Sequence, residues 1–240
     1  MKTSNKLLLA ALLVLLTSLT AYNMALRAEY RKGDYKDPLH GYASLGFKDF
    51  TEIDLSAAGS ANVKVVAGPF GVHLSPRAAE FVKVSQQGTR LVVQVDFKNS
   101  EQYLGWGQTL VISCPRLAQL TAANAYRVGG QLKGQNKTRP TQAQVQGFRQ
   151  DSLRVRLDQA SNVTLLQNRL SYLGAMAGAT PGSTASLTLA PTNYIGAADL
   201  NMQHQTELTI NNVAIPQLTY HFADSAKATL TGRALGSLVR

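Results

Sequence analysis

The chain has 240 residues, of which 45% are hydrophobic but only 7% aromatic, and its formal net charge is +10 at pH 7. Charged residues make up 16% of the chain, below the roughly 25% of a typical globular domain, so we expect the polar but weakly charged exterior of an exported protein. The single cysteine, Cys114, excludes an intramolecular disulfide framework and has the position of an inert strand-end residue.

Residues 1–26 are predicted to be a signal anchor or a signal peptide. Two lysines precede an apolar segment that extends from Leu7 to Leu26. At ~1.5 Å per residue this segment reaches ~30 Å as a helix, the thickness of a bilayer core. Cleavage next to either nearby alanine would place Leu19 or Asn23 where a small residue is required. We therefore favour an uncleaved anchor with the bulk of the chain in the periplasm or at the cell surface. Secretion after cleavage is the alternative.

Residues 27–46 mix both charges with Gly and Pro, which predicts a juxtamembrane spacer. Residues 47–112 then predict a β-rich region, because apolar and polar residues alternate in short runs separated by glycines. The clearest runs are Val63–Val65, Val72–Leu74, Phe81–Val84, Leu91–Val95 and Leu110–Ile112.

The last part of the chain repeats itself. The triplets 187–189, 208–210 and 228–230 share an apolar-Thr-apolar pattern at offsets of 21 and 20 residues, and 163–165 is a fainter copy. Second alternating segments lie between the triplets, which is typical of a solenoid whose repeats bury their inward residues against their neighbours. The fold class predicted for 113–240 is therefore a single-stranded parallel β-helix with turns of about 20 residues, giving an all-β protein behind an N-terminal hydrophobic helix.

Four runs carry a resemblance to a known family. The segments 50–53, 59–65, 81–84 and 88–93 resemble the opening of the autotransporter-adhesin head GIN domain family, which occurs mainly in the Bacteroidetes. The resemblance covers about 47–232. It implies a β-rich region running into a parallel β-helix and an adhesion role, and it offers no catalytic residues to carry over.

Carboxylate catalysis is the competing interpretation, because many β-helices cleave polysaccharides. Hydrolysis needs two carboxylates about 5 to 10 Å apart. Asp199 and Glu207 are the pair that could approach each other across one repeat, yet no third polar partner accompanies them. A β-helical polysaccharide lyase or hydrolase therefore stays an alternative, and our prediction is a protein without catalytic residues.

No metal or cofactor is expected. Aligning the two alternating segments places His204 and His221 on different faces, and the chain has no CxxC or HExxH motif. The glycines form no phosphate-binding pattern.

The candidate binding feature is a basic segment. Residues 127–169 hold eight basic residues against the acids Asp151 and Asp158. In the run 153–157, two arginines alternate with apolar residues, so both should leave the same outer face. The predicted anion-binding residues are therefore Arg139, Arg149, Arg154 and Arg156.

Arginine forms forked hydrogen bonds with carboxylate and phosphate, so an acidic glycan or lipopolysaccharide is the expected partner. The alternative is that these charges keep an exposed sheet soluble. Nucleic acid is not expected, because the leader directs the chain to the membrane and no aromatic residues are interleaved with the basic ones. The sequence thus predicts a non-enzymatic envelope or cell-surface protein, an adhesion or envelope-interaction module.

Overall fold

The computed structural model describes residues 3–102, 104, 107–134 and 140–238, and the chain divides after Tyr42 into two units. The first unit contains helix α1, Thr3–Lys32, followed by a short 3-10 helix, Asp34–Lys36. By length and composition α1 is able to cross a membrane. Its hydroxyl groups bond to its own backbone, as where Thr20 Oγ1 donates to Leu16 O at 2.7 Å, so they need no water.

The second unit is built from β-strands and one short 3-10 helix, Gly232–Leu238. Within the described residues the strands are Ala43–Leu45 (β1), Glu52–Ala57 (β2), Asn62–Ala67 (β3), Gly71–Leu74 (β4), Val82–Gln87 (β5), Arg90–Phe97 (β6), Leu110–Cys114 (β7), Gln119–Ala122 (β8), Tyr126–Val128 (β9), Gln131–Lys133 (β10), Thr141–Gln146 (β11), Arg149–Leu157 (β12), Ser161–Leu166 (β13), Arg169–Ala177 (β14), Ser186–Leu189 (β15), Tyr194–Met202 (β16), Glu207–Asn211 (β17), Gln217–Phe222 (β18) and Lys227–Thr231 (β19).

The strands form two large sheets. The first sheet has nine strands in the order β1-β4-β7-β3-β11-β13-β15-β17-β19. The second has ten strands in the order β10-β9-β6-β2-β8-β12-β14-β16-β18, with β5 paired to β6. From β11 onward, consecutive strands therefore belong alternately to the two sheets.

Parallel strands hold equivalent residues of the repeat in register. Leu187 pairs with Leu208, and Leu208 pairs with Ala228, so the three positions stack in register as predicted, but Ala228 on the last strand is exposed. Leu187 and Leu208 are buried, whereas Thr188 and Thr209 point outward between buried neighbours. The apolar side chains that face inward from both sheets form one core, and along β11, β13, β15 and β17 every second residue is buried against it.

The prediction of a single-stranded parallel β-helix is wrong. Both sheets are mixed, because β1 with β4, β4 with β7, β5 with β6 and β9 with β10 are antiparallel pairs. The last of these pairs lies inside 113–240, and the described strands show no closed solenoid. The reason is physical: a repeat of inward apolar residues determines which side of each strand is buried, but it does not determine how the strands connect. The predicted domain boundaries at 26, 46 and 112 stay predictions.

Cys114 ends β7 and is fully buried, as expected for a strand-end residue. Burial raises the pKa of its thiol to about 12, because the thiolate would lose its hydration. The thiol is therefore protonated and unreactive at neutral pH.

Candidate functional site

Three strands of the second sheet begin with an outward side chain that carries binding chemistry. Arg149, Arg169 and Tyr194 are the first residues of β12, β14 and β16, and the register pairs Arg149 with Arg169 and Arg169 with Tyr194. Neighbouring strands lie ~4.8 Å apart, so the three side chains leave the sheet within ~10 Å of one another. We call these residues the arginine–tyrosine row.

The residues that immediately precede the arginine–tyrosine row are buried, and their hydrogen bonds fix where the three strands begin. Phe148, Asn168 and Asn193 each precede one residue of the arginine–tyrosine row and are buried. The Asn168 side chain accepts a hydrogen bond from the Phe148 backbone N–H at 3.0 Å and donates to Val145 O at 3.0 Å. Asn193 Oδ1 accepts from the Asn168 backbone N–H at 3.0 Å. Since every one of these groups is buried, the ladder holds the strand starts in place.

The arginine–tyrosine row lines an open groove of about 590 Å³. Arg169 Cζ lies 5.1 Å from the centroid of the Tyr194 ring, a cation–π distance that holds the guanidinium beside the ring. The ring itself is 66% exposed. Within the described residues, neither Arg149 nor Arg169 forms a salt bridge. Two guanidinium groups and an aromatic face are thus available to a ligand.

Other residues of the groove are less available. The Gln150 amide donates to Leu117 O at 2.5 Å and accepts from Leu117 N at 3.0 Å, so its hydrogen-bonding groups are occupied by the backbone. Asp151 is the carboxylate of the lining and is exposed. With two arginines against one aspartate, the groove favours an anionic ligand.

The predicted pair Arg154 and Arg156 lies farther along β12. Both side chains are exposed and leave the same outer face, as the alternation predicts, about 16 Å or more from Arg149 at ~3.3 Å per residue. Arg154 pairs across the sheet with Gly174. A Cβ added to Gly174 would lie 3.4 Å from Cε1 of Tyr172 and 3.9 Å from Cγ of Arg154, so the ring and the arginine stem flank the glycine.

The four arginines predicted to bind anions therefore do not lie together in one site. Arg149 lies in the groove, Arg154 and Arg156 are exposed farther along β12 and outside it, and Arg139 falls outside the described residues. Tyr194 was not among the predicted binding residues, because those were chosen by charge. Its signal in the sequence is an asparagine immediately before it, since Asn193-Tyr194 corresponds in the ladder to Asn168-Arg169.

The carboxylates considered for catalysis do not meet. Asp199 is an outward residue of β16 in the second sheet, whereas Glu207 begins β17 in the first sheet. Glu207 Oε1 lies 3.3 Å from Lys227 Nζ, in an ion pair on the outer face of that sheet. The two acids therefore face away from each other across the core, and they form no catalytic pair.

His204 and His221 were expected on different faces, and that expectation is wrong. Both line a shallow groove of about 400 Å³ together with Asn201, Gln203 and Phe222. The cause is the turn that follows β16, where His204 has a positive φ of 55° and leaves the alternation of the strand. In the searched part of the chain no group of three or more His, Cys, Asp or Glu residues is placed to hold a metal ion.

Comparison with known proteins gives a likeness of fold. A structure described as a "putative adhesin" from Parabacteroides distasonis ATCC 8503 matches with a TM-score of 0.51 at 11% identity, over 80% of this chain and 81% of that chain. A "putative adhesin" from Bacteroides fragilis NCTC 9343 gives a TM-score of 0.40 at 10% identity, over 79% of this chain and 96% of that chain. One from Parabacteroides merdae ATCC 43184 gives 0.35 at 10% identity, over 80% and 92%.

No family model matches the chain, and no curated protein does. At 11% identity the Parabacteroides distasonis structure shows a shared fold and nothing finer.

Proposed function

We propose that this chain is a non-enzymatic, membrane-anchored adhesion or envelope-interaction module of the head GIN type, and that it binds an acidic glycan at the arginine–tyrosine row. The observation that carries the proposal is the alignment of two guanidinium groups, which form no salt bridge within the described part of the chain, with one exposed tyrosine along an open groove. The fold shared with a protein named as an adhesin adds support for adhesion.

The chemistry of the row suits a sugar acid. A guanidinium donates two parallel hydrogen bonds to one carboxylate, and such charge-assisted bonds are stronger than neutral ones. A tyrosine ring offers an apolar face to the C–H side of a sugar ring and a hydroxyl at its edge. Arg154 and Arg156 are exposed farther along β12 and supply further positive charge for the acidic residues of a long glycan.

A binding experiment with the full-length protein tests this proposal. The protein is kept in a detergent without sugar groups and titrated with polygalacturonate, with purified lipopolysaccharide as a phosphate-bearing second ligand. We expect Arg149→Ser with Arg169→Ser to weaken polygalacturonate binding about tenfold or more, because each charge-assisted bond contributes about 1.5–3 kcal/mol. Binding should also fall with rising salt, because exposed charges are screened within about 8 Å at physiological ionic strength.

Two control variants separate a site from diffuse attraction. The pair Lys48→Ser with Lys64→Ser removes the same charge outside the groove, since Lys64 lies on β3 of the first sheet and Lys48 lies before β2. Arg154→Ser with Arg156→Ser removes it on β12, also outside the groove. Equal losses from all three variants would contradict a located site. A reducing-end assay on each retained glycan completes the experiment, and the appearance of new reducing ends would contradict the non-enzymatic assignment.

The anchor requires a separate test. We propose that α1 stays attached and spans the membrane, with the second unit in the periplasm or at the cell surface. The full-length protein should then remain in the membrane fraction through high-salt and alkaline carbonate washes, because a spanning helix is held by apolar burial and not by charge. Recovery of a mature protein that begins near Tyr22 or Leu26 would identify a cleaved signal peptide instead.

A further inference from the structure

The outer face of the first sheet carries a different chemistry from the arginine–tyrosine row. Two register rows of outward residues on β11, β13 and β15 consist of amides and hydroxyls. One row contains Gln142, Asn162 and Ser186, and the next contains Gln144, Thr164 and Thr188. Because neighbouring strands lie ~4.8 Å apart, each row repeats a neutral hydrogen-bonding group at that interval.

These rows form the floor of a groove of about 470 Å³. One wall is the backbone and side chain of Gly107 and Gln108. This wall is tied to the sheet, because Asn62 Nδ2 donates to Gly107 O at 3.1 Å and the Asn62 backbone N–H donates to Thr109 Oγ1 at 3.1 Å. No charged residue is among the described residues of the lining.

Much of the hydrogen-bonding capacity of this floor is unused. The Ser186 hydroxyl donates to Asn162 Oδ1 at 2.9 Å, which orders these two side chains. By contrast, among the described residues the side chains of Gln144, Thr164 and Thr188 make no hydrogen bond to the protein. Each can therefore donate and accept toward a ligand.

We infer that this groove is a second binding site, for an uncharged and hydroxyl-rich ligand such as a neutral oligosaccharide. Sugar hydroxyls donate and accept at once, as do the amides and hydroxyls of the floor. An acidic ligand is disfavoured, since no cation is among the described residues of the lining and Lys64 lies one strand to the side of the floor. An extended peptide is also disfavoured, because peptides add to the open edge of a sheet, whereas the strands of this floor are paired on both sides.

The test uses the full-length protein in a detergent without sugar groups, because alkyl maltosides would compete for the groove. The probes are cellohexaose, maltohexaose and mannohexaose, titrated separately by calorimetry. Thr164→Lys places a long side chain across the floor and should weaken binding of the retained hexasaccharide at least tenfold. Thr229→Lys is the matched control, because it adds the same charge in the same register row two strands beyond the groove, and it should leave binding within twofold.

Three outcomes would overturn the inference. They are the failure of all three hexasaccharides to bind, equal losses in the Thr164→Lys and Thr229→Lys proteins, and retention of an uncharged Gln-Gly repeat peptide in place of the saccharides. The Arg149→Ser, Arg169→Ser protein should keep its affinity for the neutral ligand, so failure of this site and failure of the acidic-glycan site are distinguishable.

Discussion

The two sheets have a similar backbone arrangement, but their outer faces present different side chains. In the repeat region, both sheets have parallel strands whose neighbours are in register, as β12 with β14 and β13 with β15. The inward apolar residues of both sheets share one core. The second sheet presents arginines and tyrosines, whereas β11, β13 and β15 of the first present amides and hydroxyls. Because successive residues of a strand point to opposite sides, the outward rows are free to differ while the inward rows are constrained by packing. The inward rows therefore stabilise the fold, and the outward rows, where we propose that ligands bind, can vary without disturbing the core.

Replacing an inward residue should have the largest effect. Leu208→Asp would bury a carboxylate with no partner between Leu187 and Ala228 in the first sheet. An isolated buried charge costs several kcal/mol, comparable with the 5–15 kcal/mol stability of a whole domain. We expect a protein that is unfolded or melts far below the parent in thermal denaturation monitored by circular dichroism.

The outward neighbour supplies the control. Thr209→Asp should change stability by no more than about 0.5 kcal/mol, since its side chain faces solvent. A Leu208→Asp protein that melts within a degree or two of the parent would refute the division between inward and outward rows.

The buried asparagine ladder is expected to give the next largest effect. Asn168→Leu fills a similar volume but removes the side-chain hydrogen bonds to the buried Phe148 N–H and to Val145 C=O. Unsatisfied buried groups cost about 1–3 kcal/mol each, so we expect a loss of about 3 kcal/mol in urea denaturation. The same variant should weaken polygalacturonate binding, because Arg169 directly follows residue 168.

Gln144→Leu is the matched control, since it makes the same kind of change on the outward face of β11. It should be nearly silent in stability. If both variants were equally destabilised, the ladder would have no special role in holding the strand starts.

Part of this architecture can be predicted from the sequence, and there is a physical reason why the rest cannot. The period-two alternation predicts that Leu187 and Leu208 face inward and that Arg154 and Arg156 leave one outer face, because sidedness is a local property of a strand. Connectivity is not local, which is why the predicted β-helix is wrong. Tyr194 was missed for the same reason. Its neighbour Arg169 is 25 residues away and Arg149 is a further 20 away, so unequal turns hide their common register.

Because of Cys114, the free energy of unfolding should depend on pH at alkaline pH, above the physiological range. Burial raises the pKa of the folded thiol to about 12 from 9.0, so the unfolded chain loses its proton first as the pH rises. The stabilisation is therefore complete below about pH 9 and is lost between about pH 9 and pH 12. At pH 10 we expect a loss of about 1.4 kcal/mol, measured by urea denaturation, relative to a Cys114→Ala protein compared over the same range.

A thiol reagent gives an independent measurement of the same burial. The native protein should react with it at pH 8 only as fast as it unfolds, since the protonated thiol is inaccessible at the end of β7. Rapid reaction of the native protein would contradict the burial of Cys114.

The smallest effect is expected from an ion pair on an outward row. Glu207 and Lys227 are register partners on β17 and β19, with their side chains 44% and 71% exposed. Holding two long side chains in one geometry costs entropy, and solvent screens the attraction, so exposed pairs contribute about 0–1 kcal/mol. A double-mutant cycle with Glu207→Gln and Lys227→Ala should give a coupling of about 0.5 kcal/mol or less that decreases with added salt. A salt-independent coupling of several kcal/mol would show that an outward row also stabilises the fold. The conclusion that stability comes from the inward rows would then be wrong for the first sheet.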